Sequence, residues 1–212
     1  MQSKKNIPII KELLLQHFSD AKSELIFHNN YELLVCVMLS AQCTDKRVNI
    51  ITPALFKAYP NVQELAKANL ASLKMLIQTC SFFNNKAANL IKMAQSVCAD
   101  FNGEIPLDET KLKSLAGVGL KTAHVVLIEA TGANVMAVDT HVFRIAKRLD
   151  LTKANSPENA DAELSKLFKS DLNRLHQAMI LFGRYTCKAI NPLCDKCFLK
   201  QFCKAPFVLK SS

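Results

Sequence analysis

The sequence predicts an all-α protein built as two helical lobes. Three observations carry that prediction. Apolar residues recur at helical spacing along most of the 212-residue chain. Strand signals are poor: "ANVMAVDT" holds one short apolar run, too brief to imply a sheet. Half of the residues are apolar, enough for one sizeable core or for two small lobes sharing a boundary. No repeat at a fixed period is present, and about ten short helices are expected.

The elements follow in order. Ile9, Leu13, Leu14 and His17 fit one face of a first helix. "YELLVCVMLSAQ", from Tyr31 to Gln42, is apolar nearly all round after its first turn, which suggests a helix buried on every side. "KRVNIITPALFKAYP" reads as another helix, ended by Pro60. "NKAANLIKMAQSVCADFNG" puts Ala87, Ile91, Ala94 and Cys98 on one stripe, and Gly103 closes it. "LAGVGLKTA", Leu115 to Ala123, sets two glycines two apart between helical segments, and the following helix runs to Gly132. "VDTHVFRIAKRL" starts another helix with Asp139, a favoured N-cap residue.

Charge narrows the class of partner. Lys and Arg outnumber Asp and Glu by 27 to 18, a net charge of +9. A surplus of that size favours polyanions such as nucleic acid or an anionic membrane, although a solvated basic surface also accounts for it. The N-terminus does not read as a signal peptide, because Lys11 and Glu12 break its apolar stretch and no small-residue cleavage site follows. No apolar run approaches the ~18 residues that a membrane span needs. The cytoplasm is the expected compartment, where eight cysteines should be thiols or metal ligands and not disulfides.

The glycine hairpin raises a chemical question. Gly117 and Gly119 flank Val118, and glycines let backbone N–H groups approach a phosphate closely. Such a loop grips a nucleic-acid strand without reading its sequence, and its plainer counterpart is an ordinary tight turn. Lys121 then stands at the start of the next helix, where the positive helix end favours acidic residues. Either it points into water, or the site needs an amine beside an anion-binding backbone. An amine whose cationic form is disfavoured is a better nucleophile toward an electrophilic sugar carbon. Asp139 follows 18 residues later, far enough for one helix out and a loop back, and a carboxylate stabilises positive charge developing on a sugar.

"CKAINPLCDKCFLKQFC" carries Cys187, Cys194, Cys197 and Cys203 within 17 residues. Four cysteines so spaced indicate metal. Structural zinc is the first competitor, but zinc modules usually use two C-x2-C pairs and this segment has one. A tight single loop of four thiolates suits a cubic [4Fe–4S] cluster better. Cys36, Cys43, Cys80 and Cys98 are scattered on helical stretches and read as buried small apolar residues. Arg184, Lys188, Lys196, Lys200, Lys204 and Lys210 place the cysteine loop in a basic patch in which Asp195 is the only acid.

These motifs together resemble the endonuclease III family of DNA glycosylases. "LSAQCTD" at 39–45, "LAGVGLKTAHVVL" at 115–127, "VDTHVFRIAKRL" at 138–149 and "GRYTCKAINPLCDKCFLKQFC" at 183–203 occur in the family's order, and the similarity covers nearly the whole chain. The resemblance implies two helical lobes with a DNA-binding cleft. It implies a helical barrel over 22–134 that contains a helix–hairpin–helix at about 107–131. The second lobe would combine 1–21 with 135–212 and carry the cluster loop 187–203. Lys121 matches the family's catalytic lysine, Asp139 its catalytic aspartate, and Cys187, Cys194, Cys197 and Cys203 its cluster ligands. Gln42 matches the residue that fills the gap left by an extruded base. Phe82 falls where the family carries an apolar wedge, with Phe83 as the alternative. Gly117, Val118, Gly119, Arg184 and Lys188 complete the implied DNA contacts, and His141 and Asp45 carry no assigned role. Two departures stand out: Ala116 replaces the proline that commonly precedes the first hairpin glycine, and Ser81 replaces a glycine of the wedge loop.

The implied activity is a bifunctional glycosylase and abasic-site lyase of base excision repair. It would act as a monomer on double-stranded DNA containing oxidised or ring-saturated pyrimidines or abasic sites, in the cytoplasm (associated with the nucleoid if the protein is prokaryotic) and not at a membrane. A monofunctional glycosylase of the same superfamily is the nearest alternative; such enzymes generally lack the hairpin lysine. A non-catalytic iron–sulfur DNA-binding module is the other, and the joint presence of Lys121 and Asp139 argues against it.

Overall fold

The computed structural model describes residues 1–205, and Lys210 of the basic run lies outside the described residues. Among the described residues there are eleven α-helices, two short 3-10 turns and no strand. The apolar run of "ANVMAVDT" is an extended link between two helices. The chain divides into two compact units: unit 1 is Met1–Lys22 with Ala133–Ser212, and unit 2 is Ser23–Gly132.

Unit 2 holds α2 (Asn30–Ser40), α3 (Asp45–Ala58), α4 (Val62–Ala66), α5 (Leu70–Ile77), α6 (Phe83–Asp100), α7 (Glu109–Ser114) and α8 (Leu120–Thr131). Its centre is α2, buried from Tyr31 to Leu39 except at Glu32 and packed against α3, α6 and α8. Leu34, Val35 and Leu39 there are 0% exposed, and burial of each such side chain stabilises the unit by about 1.5–3 kcal/mol. Around α2, helices start where side chains cap them: Asn29, Thr44, Asn61, Asn69 and Asp108 each accept a backbone N–H of the turn that follows.

The buried stripe of α6 differs from the expected one. Ala87 and Ala94 are buried, but their companions are Leu90, Met93 and Val97, while Ile91 and Cys98 are half-buried. The i, i+3, i+7, i+10 line from Ala87 faces α4 and α5, both of which pack on α6, and those partners select it. Gly103 closes the helix as expected, at φ +79°, with its N–H donated to the Val97 carbonyl at 3.0 Å.

Unit 1 holds α1 (Asn6–His17), α9 (Thr140–Arg148), α10 (Pro157–Phe168) and α11 (Leu172–Tyr185). Its core gathers Ile10 and Leu14 of α1, Val142 and Ile145 of α9, Leu164 of α10 and Leu175, Met179 and Phe182 of α11. Here too the expected face is rotated. Ile10 replaces Ile9, which is 46% exposed, and His17 is exposed, with its ring stacked on Phe198 at 3.8 Å. The far end of the chain is rooted in the same core by Leu199 and Phe202. Gln2 fastens it from the other terminus, donating to the Phe202 carbonyl at 2.9 Å and the Leu149 carbonyl at 3.1 Å.

Candidate functional site

The hairpin between α7 and α8 is held by its own backbone. Leu115 donates to the Leu112 carbonyl at 3.1 Å, and Val118 to the Leu115 carbonyl at 3.1 Å. Val118 is buried, so its side chain packs beneath the turn and does not project from it. The two glycines serve different ends. Gly117 sits at φ +79°, and a Cβ there would meet the Asn89 side chain of α6 at 2.9 Å. Gly119 has an ordinary backbone at φ −92° and ψ 179°, and a Cβ there would meet nothing within 4 Å. Glycine's conformational range is therefore needed at Gly117 alone. At Gly119 the absent side chain keeps open space in front of the start of α8.

That helix start has no side-chain cap and no acidic residue in its first turn. Its early N–H groups point out of the helix start, the arrangement that receives an anion. Lys121 is the second residue of α8 and is half-buried. Behind it, His124 Nε2 lies 3.0 Å from Glu109 Oε2, which ties α8 to α7 and sets the opening of the hairpin. The His124 hydrogen bond holds the Glu109 carboxyl below its usual range, against a smaller opposing effect of burial. This brace was not legible in the sequence, although His124 and Glu109 both lie within the hairpin segment.

Gln42 and Phe82 also lie in unit 2, each at the end of a helix. Both are exposed, and both hold left-handed backbone, at φ 54° and φ 57°. Non-glycine residues adopt that conformation at a cost of about 1–3 kcal/mol, and surrounding structure must enforce it. Lys86 of α6 supplies part of that enforcement. Its ammonium donates to the Leu39 carbonyl at 2.8 Å, the Ala41 carbonyl at 2.6 Å and the Cys80 sulfur at 3.2 Å. One lysine thereby satisfies the last carbonyls of α2 and joins the Gln42 turn to the Phe82 loop. Of the adjacent aromatics Phe82 is the presented one, 62% exposed, while Phe83 is half-buried as the first residue of α6.

Asp139, in unit 1, is the N-cap of α9. Its Oδ1 accepts the Val142 N–H at 2.8 Å, and Oδ2 makes no hydrogen bond among the described residues. The plain and the chemical readings of this residue are compatible, since the cap uses one oxygen. His141 is half-buried, and its Nδ1 accepts from Arg144 Nη2 at 3.1 Å. Burial lowers the His141 pKa, with Arg144 and Arg184 adding to the shift against Asp139, so the ring is neutral near pH 7. Arg184 is half-buried near the end of α11, and Lys188 is exposed.

The four C-terminal cysteines line one cavity together with Arg148, Pro192 and Leu193. All eight cysteines of the chain are unlinked. Two arginines on one face of α9, i and i+4, bind the loop. Arg144 donates to the Gly183 carbonyl at 2.9 Å and the Cys187 carbonyl at 3.1 Å. Arg148 reaches the Cys187 sulfur at 3.2 Å and the Lys188 carbonyl at 2.7 Å. Gly183 permits the approach, because a Cβ there would meet the His141 Cβ at 2.9 Å. Burial pushes the Cys197 thiol up to about 11 and raises Cys203 as well, with the neighbouring sulfurs adding to both. Four half-buried sulfurs lining one cavity are a site for a cationic group. Among the described residues no three His, Cys, Asp or Glu side chains converge on a single ion. Four sulfurs lining one cavity fit a cluster of several irons. Of the four remaining cysteines, Cys36 and Cys80 are buried as expected, while Cys43 and Cys98 are only half-buried.

An all-helical fold with an uncapped glycine hairpin and a four-cysteine loop defines a class. Residues 35–170 match the HhH-GPD superfamily of base excision DNA repair proteins, and residues 187–203 match the iron–sulfur binding domain of endonuclease III. The endonuclease III of Rickettsia felis is 42% identical over 196 residues, 92% of each chain. A solved non-covalent endonuclease III–DNA complex superposes over 100% of both chains with TM-score 0.95 and 37% identity. A trapped endonuclease III–DNA covalent intermediate, the estranged-adenine complex, superposes with TM-score 0.93 and 39% identity over 96% of this chain and 97% of that one. The chain belongs to the endonuclease III family, and its cofactor is a [4Fe–4S] cluster.

Proposed function

We propose that Lys121 and Asp139 carry the reaction of this enzyme, a bifunctional DNA glycosylase and abasic-site lyase of base excision repair. Its partner is DNA. The substrates are duplexes containing oxidised or ring-saturated pyrimidines, or abasic sites, and the enzyme works as a monomer in the cytoplasm at the nucleoid. The observation that carries the assignment is an amine on the first turn of a helix with no cap, directly after a glycine hairpin.

The N–H groups at the start of α8 bind a backbone phosphate, with Gly119 leaving room for it. The damaged nucleotide is turned out of the stack, at least cost where it is already poorly stacked. Gln42 occupies the gap and Phe82 wedges between the neighbouring bases. The Lys121 amine attacks C1′, the glycosidic bond breaks and the base departs. Asp139 stabilises the positive charge that develops on the sugar and assists proton transfer from the lysine. A Schiff base remains between Lys121 and C1′. Removal of a proton from C2′ then expels the 3′ phosphate by β-elimination, and hydrolysis releases Lys121. Cys187, Cys194, Cys197 and Cys203 hold the cluster, which supplies the thiolate–iron bonds that clip the loop into shape. Arg184 and Lys188 meet phosphates beside it.

Borohydride trapping tests the assignment. Lys121→Gln keeps size and polarity and removes the nucleophile. On duplexes carrying thymine glycol or an abasic site it should bind like the parent and lose both the trapped adduct and nearly all strand cleavage. Parental trapping by Lys121→Gln would make another amine the nucleophile.

A further inference from the structure

Lys86 has no part in the reaction, yet the two helix ends assigned to the DNA meet through it. It is half-buried and stands in the first turn of α6. A helix start is a positive end that disfavours a cation, and α6 offers no acidic residue there. The compensation comes from the negative end of α2. The Leu39 and Ala41 carbonyls accept from the Lys86 ammonium at 2.8 and 2.6 Å. The third proton goes to the Cys80 sulfur at 3.2 Å, and the Cys80 thiol donates to the Leu39 carbonyl at 3.3 Å. An ammonium has three donors, and here each is directed at a protein acceptor. This lysine is therefore not arranged as a phosphate contact. Its backbone completes the link, because the Lys86 N–H donates to the Phe82 carbonyl at 3.1 Å. Gln42 directly follows Ala41, so one residue holds both Phe82 and the chain just before Gln42.

We propose that Lys86 is a positioning residue for lesion capture, tying the Gln42 turn and the Phe82 loop into one unit so that gap filling and wedging occur together. Gln42 and Phe82 both hold left-handed backbone, which surrounding structure must enforce. Without the ammonium each loop samples its conformations independently. The arrangement that presents both side chains then becomes a fraction of the population. Apparent affinity for a lesion falls by that fraction, tenfold where about one molecule in ten stays competent. Undamaged duplex, gripped at its phosphates, does not call on the pair.

The role of Lys86 rests on those proposed for Gln42 and Phe82. The test measures binding of the iron–sulfur holoenzyme to a duplex carrying a tetrahydrofuran abasic analogue, which offers no aldehyde for cleavage, and to the same duplex undamaged, across a salt series. Lys86→Met keeps most of the side chain's length and removes its donors. It should lose about tenfold in affinity for the analogue. On undamaged duplex it should keep parental affinity and salt slope, whereas a lost phosphate contact would lower the slope by about 1. Lys86→Arg restores the donors and should recover most of the loss. Lys86→Gln keeps one amide for the α2 carbonyls, serves where Met fails to fold, and should show the same loss. A last arm adds Lys86→Met to a chain carrying Gln42→Ala and Phe82→Ala, where a residue acting through those two side chains changes nothing further. An equal additional loss in that chain, a lowered salt slope, or parental affinity of Lys86→Met and Lys86→Gln for the analogue overturns Lys86 as the positioning residue. Parental affinity of the Gln42→Ala, Phe82→Ala chain for the analogue overturns the roles of those two residues, and that of Lys86 with them.

Discussion

Asp139 spends one oxygen on the Val142 N–H, so removing the side chain and neutralising it have different consequences. Asn is as good an N-cap as Asp, whereas Ala forfeits the cap at a cost of about 1 kcal/mol. Asp139→Asn should therefore unfold within ~0.5 kcal/mol of the parent and Asp139→Ala about 1 kcal/mol lower, as urea titration measures. Both should lose most base release, because both lose the charge. Asp139→Asn should keep some cleavage at preformed abasic sites, where no glycosidic bond remains to break. If Asp139→Asn released bases at the parental rate, the residue would be a cap and nothing more. The helix-capping role was legible because a cap and the helix it starts are adjacent in sequence. Lys86 was not legible: its carbonyl partners at Leu39 and Ala41 lie 47 and 45 residues away, and nothing local marks a lysine as a donor to distant backbone.

The hairpin separates fold from function at two neighbouring glycines. Gly117→Ala forces a side chain into left-handed backbone and against Asn89, which should cost about 1–2 kcal/mol of stability. Gly119→Ala meets nothing, and its stability cost should stay below about 1 kcal/mol, the difference between Gly and Ala as caps. Yet Gly119→Ala should weaken binding to damaged and undamaged duplexes alike, since in the proposed function the loop meets phosphate and not base edges. A variant that lost only its preference for the lesion would contradict this. The sequence marked both glycines but not their difference, which depends on Asn89 approaching from α6. The brace behind the hairpin adds a dependence on pH. Glu109 has a depressed carboxyl pKa in the folded protein, so its contribution is present above the unfolded pKa and fades as pH falls through the folded one. The stability difference between the parent and Glu109→Gln, measured from neutral pH downward, should shrink below the usual carboxylate range. A difference that grew in acid would assign the brace to another group.

Charge is divided unevenly over the molecule. Unit 1 holds 17 of the 27 basic residues and 9 of the 18 acidic ones, net +8, whereas unit 2 holds 10 and 9, net +1. The total of +9 pointed to a polyanion, but the division depends on which segments fold together, and unit 1 is assembled from both ends of the chain. The cysteine loop was legible because its four sulfurs are close in sequence; the arginines of α9 that hold it, Arg144 and Arg148, were not, because their partners lie 39 to 43 residues on. This division predicts two kinds of DNA grip. The hairpin of unit 2 offers uncharged N–H groups, and the loop of unit 1 offers cations such as Lys188, which is exposed. Only cations displace counterions from DNA, so only they contribute to the slope of log affinity against log salt. Lys188→Ala should reduce the magnitude of that slope by about 1, with the largest affinity loss at low salt. Gly119→Ala should lower affinity by the same factor at every salt concentration and leave the slope unchanged. Titration of an undamaged duplex across a salt series distinguishes them. A changed slope in Gly119→Ala would mean that the hairpin places a cation on the phosphate, and an unchanged slope in Lys188→Ala would remove that lysine from the interface.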